Sequence, residues 1–126
     1  MSEPVQTSGT ASVGGGASVL VARGLRRVFQ SPTGPLTVLD QIDLEVPRGT
    51  LLAITGASGA GKTTLLNVLG ALDHATSGTL EIAGERVETM GERDRCRLRA
   101  KRLGFVFQFH HLLPEFTAEE NVMMPL

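Results

Sequence analysis

A shortage of cysteine and of long apolar runs excludes two broad classes of protein. The single cysteine, Cys96, rules out an intramolecular disulfide and favours a reducing compartment. No run of about 18 apolar residues occurs that would suggest a membrane span, and the opening Met-Ser-Glu-Pro lacks the basic start of a signal peptide. The net charge of −1 gives no general argument for nucleic acid or an acidic membrane surface as a partner. These absences together predict a soluble, cytoplasmic protein.

The sequence does contain enough apolar material for one domain, preceded by a polar tail. With 126 residues and 41% hydrophobic content, the chain can form a single core. Residues 1–18 are mostly Ser, Thr, Gly and Ala, which cannot bury enough apolar surface to fold. We therefore predict a disordered tail over residues 1–18 and a domain over residues 19–126.

Alternation of apolar and polar residues predicts antiparallel strands in the first part of the domain. Residues 19–23 predict the first strand, and a turn is predicted where three turn-forming residues cluster, namely Pro32, Gly34 and Pro35. Residues 37–46 predict a half-buried strand whose inward face comprises Val38, Ile42, Leu44 and Val46. Residues 78–84 predict a further alternating strand that ends in a turn, and residues 85–88 a short edge strand.

Two helices and another apolar strand are predicted towards the end of the chain. Residues 91–102 predict a helix whose buried stripe comprises Cys96, Ala100 and Leu103. Six of the 12 basic residues lie between positions 93 and 102, and we interpret them as a solvated helix face rather than a patch for phosphate or lipid headgroups. Residues 103–108 predict a short apolar strand, and residues 117–124 predict a helix with Thr117 as its N-cap.

The most informative stretch is residues 50–64, which combine a strand, a glycine-rich turn and the start of a helix. Residues 50–55 form a short apolar run with β-branched members, typical of a strand covered on both faces. The glycines that follow permit backbone conformations that residues with a Cβ atom avoid. The helix after them has apolar residues at i, i+3, i+4 and i+7, which are Leu65, Val68, Leu69 and Leu72.

The spacing Gly56-x4-Gly61-Lys62-Thr63 in this context is that of a phosphate-binding (Walker A) loop. Backbone N–H groups and the positive end of the helix attract phosphate oxygens, Lys62 adds a charge at the β- and γ-phosphates, and the Thr63 hydroxyl can bind Mg²⁺. The alternative is an ordinary glycine-rich turn with a solvated lysine. ATP and Mg²⁺ are therefore the predicted cofactors, and the predicted binding residues of the loop are Gly56, Ala57, Ser58, Gly59, Ala60, Gly61, Lys62, Thr63 and Thr64.

From residue 20 onward, the order of the motifs resembles the ATP-binding subunit of an ABC transporter. The matching features include the turn at residues 76–79, Thr-Ser-Gly-Thr, and Gln108 at the end of Phe-Val-Phe-Gln. The resemblance implies an α/β fold of the P-loop NTPase class, an ABC-type nucleotide-binding domain that is incomplete here. It implies an N-terminal antiparallel β-subdomain, the first part of a parallel core sheet and the start of a helical subdomain.

The resemblance also implies roles for two residues outside the loop. Gln108 matches the family's glutamine whose side chain approaches Mg²⁺ and the attacking water. Gln108 is therefore a predicted catalytic residue, together with Lys62 of the loop. Thr63 and Gln108 are the predicted metal ligands. Phe29 stands where the family usually has a tyrosine that stacks on adenine, and phenylalanine keeps the ring face while losing the hydroxyl. The alternatives are a hydrogen-bonded loop glutamine and a phenylalanine that only fills the core.

The segment over residues 108–126 looks like the lipoprotein-releasing (LolD) subfamily, whose ATPase works with the integral LolC and LolE proteins at the bacterial inner membrane. Macrolide-exporter ATPases and the cell-division ATPase FtsE share Leu-Leu-Pro and Glu-Asn-Val, but the run Phe109-His110-His111 favours the first. Two adjacent histidines without a partner cluster argue against a metal site, so we expect a contact surface for the membrane partner. The resemblance implies a peripheral protein on the cytoplasmic face of that membrane.

Several family motifs do not occur in the chain. There is no Leu-Ser-Gly-Gly-Gln signature, no apolar strand ending in Asp-Glu (Walker B) and no switch histidine after it. We therefore expect an N-terminal part of a homodimeric ATPase, inactive by itself and poorly folded or aggregated because the strand at 51–55 lacks neighbours. Two alternatives remain open: another P-loop enzyme such as a small kinase, and a nucleotide-binding module without turnover.

Overall fold

A computed structural model describes residues 17–57, 59, 61–108 and 112–124. Most of the predicted tail, residues 1–16, lies outside this part of the chain. The elements in chain order are β1 (Ser18–Ser31), β2 (Gly34–Pro47), α1 (Lys62–Leu69), β3 (Ser77–Ile82), β4 (Glu85–Arg86), a 3₁₀ helix (Val87–Thr89), α2 (Glu92–Arg102) and α3 (Ala118–Met123).

The strands form one antiparallel sheet in the order β2-β1-β3-β4. The predicted turn is confirmed, because β1 and β2 form a hairpin in which Ser31 lies opposite Gly34. The strands predicted at 19–23 and 37–46 are confirmed as parts of β1 and β2, and the strand predicted at 78–84 is confirmed as β3, with its turn at residues 83 and 84. β1 is longer than predicted, since it continues through Gly24, whose φ of +58° accommodates an irregularity in the pairing.

A bulge in β2 changes which of its side chains face the core. Leu25 on β1 pairs with Ile42 on β2, and Arg27 pairs with Leu39. Between these two pairs β2 therefore has one residue more than β1. Gln41 takes up the bulge with a φ of +48°. An extra residue reverses the alternation of inward and outward side chains. Leu39 is therefore the buried residue of this part of β2, whereas the alternation in the sequence predicted Val38, which is only partly buried.

The core lies where α1 packs against the antiparallel sheet. Of the predicted apolar stripe of α1, Leu65, Val68 and Leu69 are buried, whereas Leu72 lies beyond the helix and is exposed. The buried apolar residues of the core cluster are Ala22, Leu25, Leu39, Ile42, Leu44, Leu65, Val68, Leu69, Ala71, Leu80, Ile82, Val87 and Leu98. The sheet thereby fixes the helix that follows the phosphate loop.

Neither of the two apolar strands predicted at 50–55 and 103–108 is formed, so both of these predictions are wrong. Leu52 and Ile54 pack against the core, while Leu51 is 99% exposed, so the segment keeps the alternation of a strand without its pairing. Val106 is likewise fully exposed. The reason is that a strand needs backbone partners, and the described residues place no strand beside either segment. The poor folding of the chain alone remains a prediction, which these exposed side chains support.

The helix predicted at 91–102 is confirmed as α2, but its predicted buried stripe is wrong. Arg95 and Leu98 are buried, whereas Cys96 and Ala100 are exposed. Leu103 lies one residue beyond the helix and is only partly buried. An arginine takes the inward position because it meets backbone carbonyl groups there rather than apolar side chains.

α3 confirms the last predicted helix and its cap. The Thr117 hydroxyl accepts a hydrogen bond from the Glu120 amide at 3.2 Å, and the Glu120 carboxylate accepts one from the Thr117 amide. None of the residues of α3 is buried. Among the described residues, no helix is long and apolar enough to cross a membrane.

The predicted edge strand at 85–88 is shorter in the structure, because a 3₁₀ helix begins at Val87 and buries its side chain. Glu88 then points back to β3 and accepts hydrogen bonds from the Leu80 amide at 3.1 Å and from Arg86 Nε at 2.9 Å. Partial burial raises the pKa of Glu88, but the bonds from the Leu80 amide, from its own amide and from Arg86 outweigh it, so the pKa is lowered from 4.5.

This lowered pKa predicts a loss of stability in acid. The folded state favours the Glu88 carboxylate, so its contribution is present above pH 4.5 and is lost as the pH falls through the folded-state pKa. Urea unfolding of the wild type and of Glu88→Gln should differ near neutral pH, and the difference should shrink towards zero in acid. A difference that does not change with pH would contradict this account of Glu88.

Candidate functional site

The glycine-rich loop has the backbone geometry that its sequence predicts. Gly59 has a φ of +80°, and Gly61, the N-cap of α1, has a φ of +96°, which are left-handed conformations that favour glycine. The first helical hydrogen bond runs from the Leu65 amide to the Gly61 carbonyl at 2.9 Å. The amides of the first turn of a helix have no partner within it, so they are available to a ligand. Ser58 and Ala60 lie outside the described residues.

The Lys62 side chain folds back over the loop. Its Nζ donates hydrogen bonds to the Gly56 carbonyl and, at 3.0 Å, to the Ala57 carbonyl. Thr63 is exposed and Thr64 is partly buried. The structure therefore brings Lys62 together with the first two residues of the loop.

Gln108 lies at the end of a segment that runs beside α1. A Cβ atom at Gly70, just past α1, would lie 2.6 Å from Phe105 Cε1, so the ring packs directly on this glycine. The Phe105 and Phe107 rings are stacked, with their centroids 5.7 Å apart. Gln108 itself is exposed. Phe109, His110 and His111 lie outside the described residues.

Phe29 lies on β1, partly buried, and one of its ring faces is covered by an arginine. The Arg27 guanidinium carbon lies over the ring, 4.4 Å from its centroid. Arg27 also forms an ion pair with Asp73, with 3.2 Å between Nη2 and Oδ1. Sequence reasoning singled out Phe29 and missed Arg27. The signal was present, because residues two apart on a strand share a face.

The loop after α1 connects the phosphate loop to the strand that carries Phe29. The Thr76 hydroxyl accepts a hydrogen bond from the Val28 amide at 2.9 Å, and the Thr76 amide donates to the Arg26 carbonyl at 2.7 Å. At its other end, the Asp73 amide donates to the Asn67 carbonyl within α1 at 3.2 Å. The segment over residues 73–76 is thus bonded to both α1 and β1.

Two arginines of α2 hold the beginning of the same loop. Arg95, only 2% exposed, donates from Nη2 to the Ala71 carbonyl at 2.9 Å and to the Asp73 carbonyl at 2.7 Å. Its Nη1 contacts both ring nitrogens of His74, with 2.8 Å to Nε2. Arg99 donates to the Ala71 carbonyl at 2.6 Å. Sequence reasoning missed this arrangement, which we call the arginine clamp (Arg95 and Arg99).

The clamp also orders the exposed side of α2. Arg99 Nη2 donates to Glu92 Oε1 at 3.3 Å, and Cys96 Sγ approaches the same oxygen at 3.5 Å. These hydrogen bonds, that from Arg99 first, lower the pKa of the Glu92 carboxyl. Within the described ranges, no group of three His, Cys, Asp or Glu side chains is placed to hold a metal ion.

Comparison with known proteins gives consistent matches. The family model for ABC transporters matches residues 39–124. A lipoprotein-releasing system ATP-binding protein LolD from Alcanivorax borkumensis is 56% identical over 108 residues, covering 86% of this chain and 47% of that protein. A LolD from Xylella fastidiosa is 61% identical over 108 residues, covering 86% of this chain and 45% of that protein. The chain thus spans about half the length of the curated relatives it matches.

Solved structures agree with the sequence matches. The ATP-binding cassette MJ0796, in a dimeric post-hydrolysis state bound to ADP and Pi, superposes with a TM-score of 0.81 at 30% identity. The superposition covers 84% of this chain and 46% of that chain. This confirms the predicted fold class, an incomplete P-loop NTPase of the ABC type. Because the matched family region includes the phosphate loop, α1, α2 and α3, the chain belongs to the ABC transporter family.

Proposed function

We propose that the chain binds Mg·ATP through residues 56–64 and is the nucleotide-binding part of the ATPase subunit of a lipoprotein-releasing transporter. The observation that carries this proposal is the loop geometry. Gly59 and Gly61 adopt left-handed conformations directly before α1, and Lys62 folds over the carbonyl groups of Gly56 and Ala57. Such a loop presents amides and one cation to a phosphate group.

Each predicted site residue has a distinct role in this proposal. The loop amides and Lys62 bind the β- and γ-phosphates, with Lys62 moving from its carbonyl partners to phosphate oxygens. Mg²⁺, when bound, neutralises charge that develops on the phosphates, and Thr63 and Gln108 supply protein oxygens to its coordination shell. Gln108 also orients the attacking water. Phe29 stacks on the adenine ring, which accounts for an aromatic residue that is only partly buried.

The proposed partners are a second copy of the subunit and the membrane-embedded subunits of the transporter. Dimeric structures of the cassette MJ0796 support the second copy. The relatives are ATP-binding proteins of lipoprotein-releasing systems, which supports membrane subunits as partners. The LolC- and LolE-like identity of those subunits and the peripheral position at the inner membrane are the parts of the proposal that rest on the resemblance alone. A suitable contact surface follows Gln108, where Leu112 and Leu113 are 55% and 40% exposed and α3 has no buried residue.

The LolD relatives, which reach 61% identity, favour this reading over a macrolide-exporter or FtsE-like complex, the second candidate. A nucleotide-binding module without turnover is the candidate from another class. ATP hydrolysis in the complete protein separates it from the first proposal, because only an ATPase turns over ATP in a Lys62-dependent manner. The family's signature and Walker B motifs are absent from residues 1–126, so hydrolysis is expected of the complete subunit and not of this chain alone.

Mg·ATP binding to the complete protein encoded by the reading frame that contains residues 1–126 tests the proposal. Lys62→Ala should weaken binding by about 1–3 kcal/mol, or roughly 5-fold to 150-fold, since it removes a charge-assisted hydrogen bond. Lys101→Ala, an exposed lysine on α2, is the matched control and should bind ATP as the wild type does. Equal ATP affinity in the wild type and Lys62→Ala, measured by calorimetric titration, would refute the proposed site.

A further inference from the structure

Phe29 has one ring face covered by a cation. The Arg27 guanidinium carbon lies over that face, 4.4 Å from the ring centroid, within the range of a cation–π interaction. A planar base can therefore stack only on the opposite face. A cation on one face also draws π-electron density towards itself, which reduces the repulsion between the other face and the π-cloud of a base.

Arg27 is also anchored by a carboxylate of the loop after α1. Its ion pair with Asp73 spans 3.2 Å, and the two side chains are only 23% and 28% exposed. By contrast, the neighbouring Arg26 reaches Asp40 at 3.9 Å with both side chains about half exposed. The Arg27–Asp73 pair is thus the shorter and better shielded of the two pairs, so its attraction is screened less by salt than that of the Arg26–Asp40 pair.

Asp73 is in turn fixed to the helix of the phosphate loop. Its amide is bonded to Asn67 of α1, and its carbonyl accepts a hydrogen bond from the clamp residue Arg95 at 2.7 Å. A short series of contacts therefore leads from α1 through Asp73 and Arg27 to the ring of Phe29. The series joins the residue proposed for the base to the helix proposed for the phosphates.

We propose that Arg27, anchored by Asp73, is a positioning residue that holds Phe29 for stacking with the base of the bound nucleotide. The inference rests on the proposed function and adds to it a residue that touches the ring rather than the phosphates. Arg27 therefore contributes to the affinity for a nucleotide with a base and not to the affinity for its triphosphate group.

The test measures the dissociation constants of Mg·ATP and of base-free Mg·tripolyphosphate with the complete protein that contains residues 1–126. Arg27→Gln should weaken ATP binding by about threefold to tenfold, the range expected for a cation–π contact, and leave tripolyphosphate binding unchanged. Arg27→Lys keeps a cation over the ring and should restore most of the ATP affinity. Arg26→Gln, the matched control on the same strand, should change neither constant.

Three results would overturn the inference. Equal weakening of ATP and tripolyphosphate by Arg27→Gln would mean that Arg27 only supports the fold. Unchanged or tighter ATP binding in this variant would mean that the guanidinium does not assist the ring, or occupies the place of the base. A wild type that binds neither ligand would contradict the proposed phosphate site and this inference with it. Failure of the inference alone looks different, because the wild type and Arg27→Gln would then both still bind tripolyphosphate.

Discussion

Replacing Gly78 with alanine should prevent the sheet from assembling. A Cβ atom at this position would lie 2.4 Å from the Gly24 carbonyl oxygen and 2.7 Å from the Leu25 nitrogen, both of which are backbone atoms of β1. Backbone atoms cannot rotate away as a flexible side chain can, so β1 and β3 would have to separate. Gly78 also has a φ of +97°, which costs an alanine roughly a further 1–2 kcal/mol. We expect a total destabilisation above about 4 kcal/mol, which approaches the whole net stability of a marginally stable domain, about 5 kcal/mol.

Gly84→Ala is the matched control for this substitution. Gly84 has a φ of +82°, but a Cβ atom there would meet nothing within 4 Å. It therefore isolates the backbone strain, and its expected destabilisation is only about 1–2 kcal/mol. Circular dichroism during urea unfolding of the complete protein measures both variants. Similar stability of Gly78→Ala and Gly84→Ala would show that the close approach of β3 to Gly24 is not rigid.

Replacing Arg95 with methionine should cost about 2–4 kcal/mol. The methionine fills the volume of the buried stem but offers no donor to the carbonyl groups of Ala71 and Asp73, now bonded at 2.9 Å and 2.7 Å. The Ala71 carbonyl keeps Arg99, whereas the Asp73 carbonyl loses its arginine donor. A hydrogen bond to a charged group is worth about 1.5–3 kcal/mol, and an unsatisfied buried acceptor adds to its loss. The desolvation of a buried guanidinium offsets a part of this cost.

Arg97→Met on the same helix is the control for Arg95→Met. Arg97 is exposed and meets Asp94 at 3.8 Å, so its removal should change stability by less than about 0.5 kcal/mol. Thermal or urea unfolding of the complete protein compares the two variants. Equal or greater stability of Arg95→Met would mean that the clamp contributes specificity rather than stability.

The conformation of the glycine-rich loop and the helix after it could be predicted from the sequence because the information for both is local. Gly59 and Gly61 are required by backbone conformation, and the stripe of Leu65, Val68 and Leu69 is required by the period of a helix. The cap of α3 at Thr117 is likewise decided within four residues. Such features form wherever the rest of the chain allows them, so the motifs and the family followed from short windows.

The features that sequence reasoning missed depend on distant parts of the chain. The apolar run at 51–55 favours a strand, but a strand forms only where another backbone pairs with it, and the described residues supply none. Arg95 is buried because the turn after α1 brings the carbonyl groups of Ala71 and Asp73 to α2. The helical spacing of Cys96, Ala100 and Leu103 indicates Cys96 as an inward residue instead. The ion pair that joins Arg27 to Asp73 is similarly a matter of tertiary packing.

Backbone amide NMR during titration with Mg·ATP tests most directly whether residues 56–64 hold the phosphates of a nucleotide. In the complete protein, the amide signals of Gly59, Gly61, Lys62 and Thr63 should shift and saturate with a single dissociation constant. Those of Glu85 and Arg86 in the edge strand β4 should remain in place, because neither residue belongs to the loop, to α1 or to β1, which carries Phe29. Loop amides that do not respond to saturating Mg·ATP, while signals elsewhere shift, would contradict the proposed phosphate site.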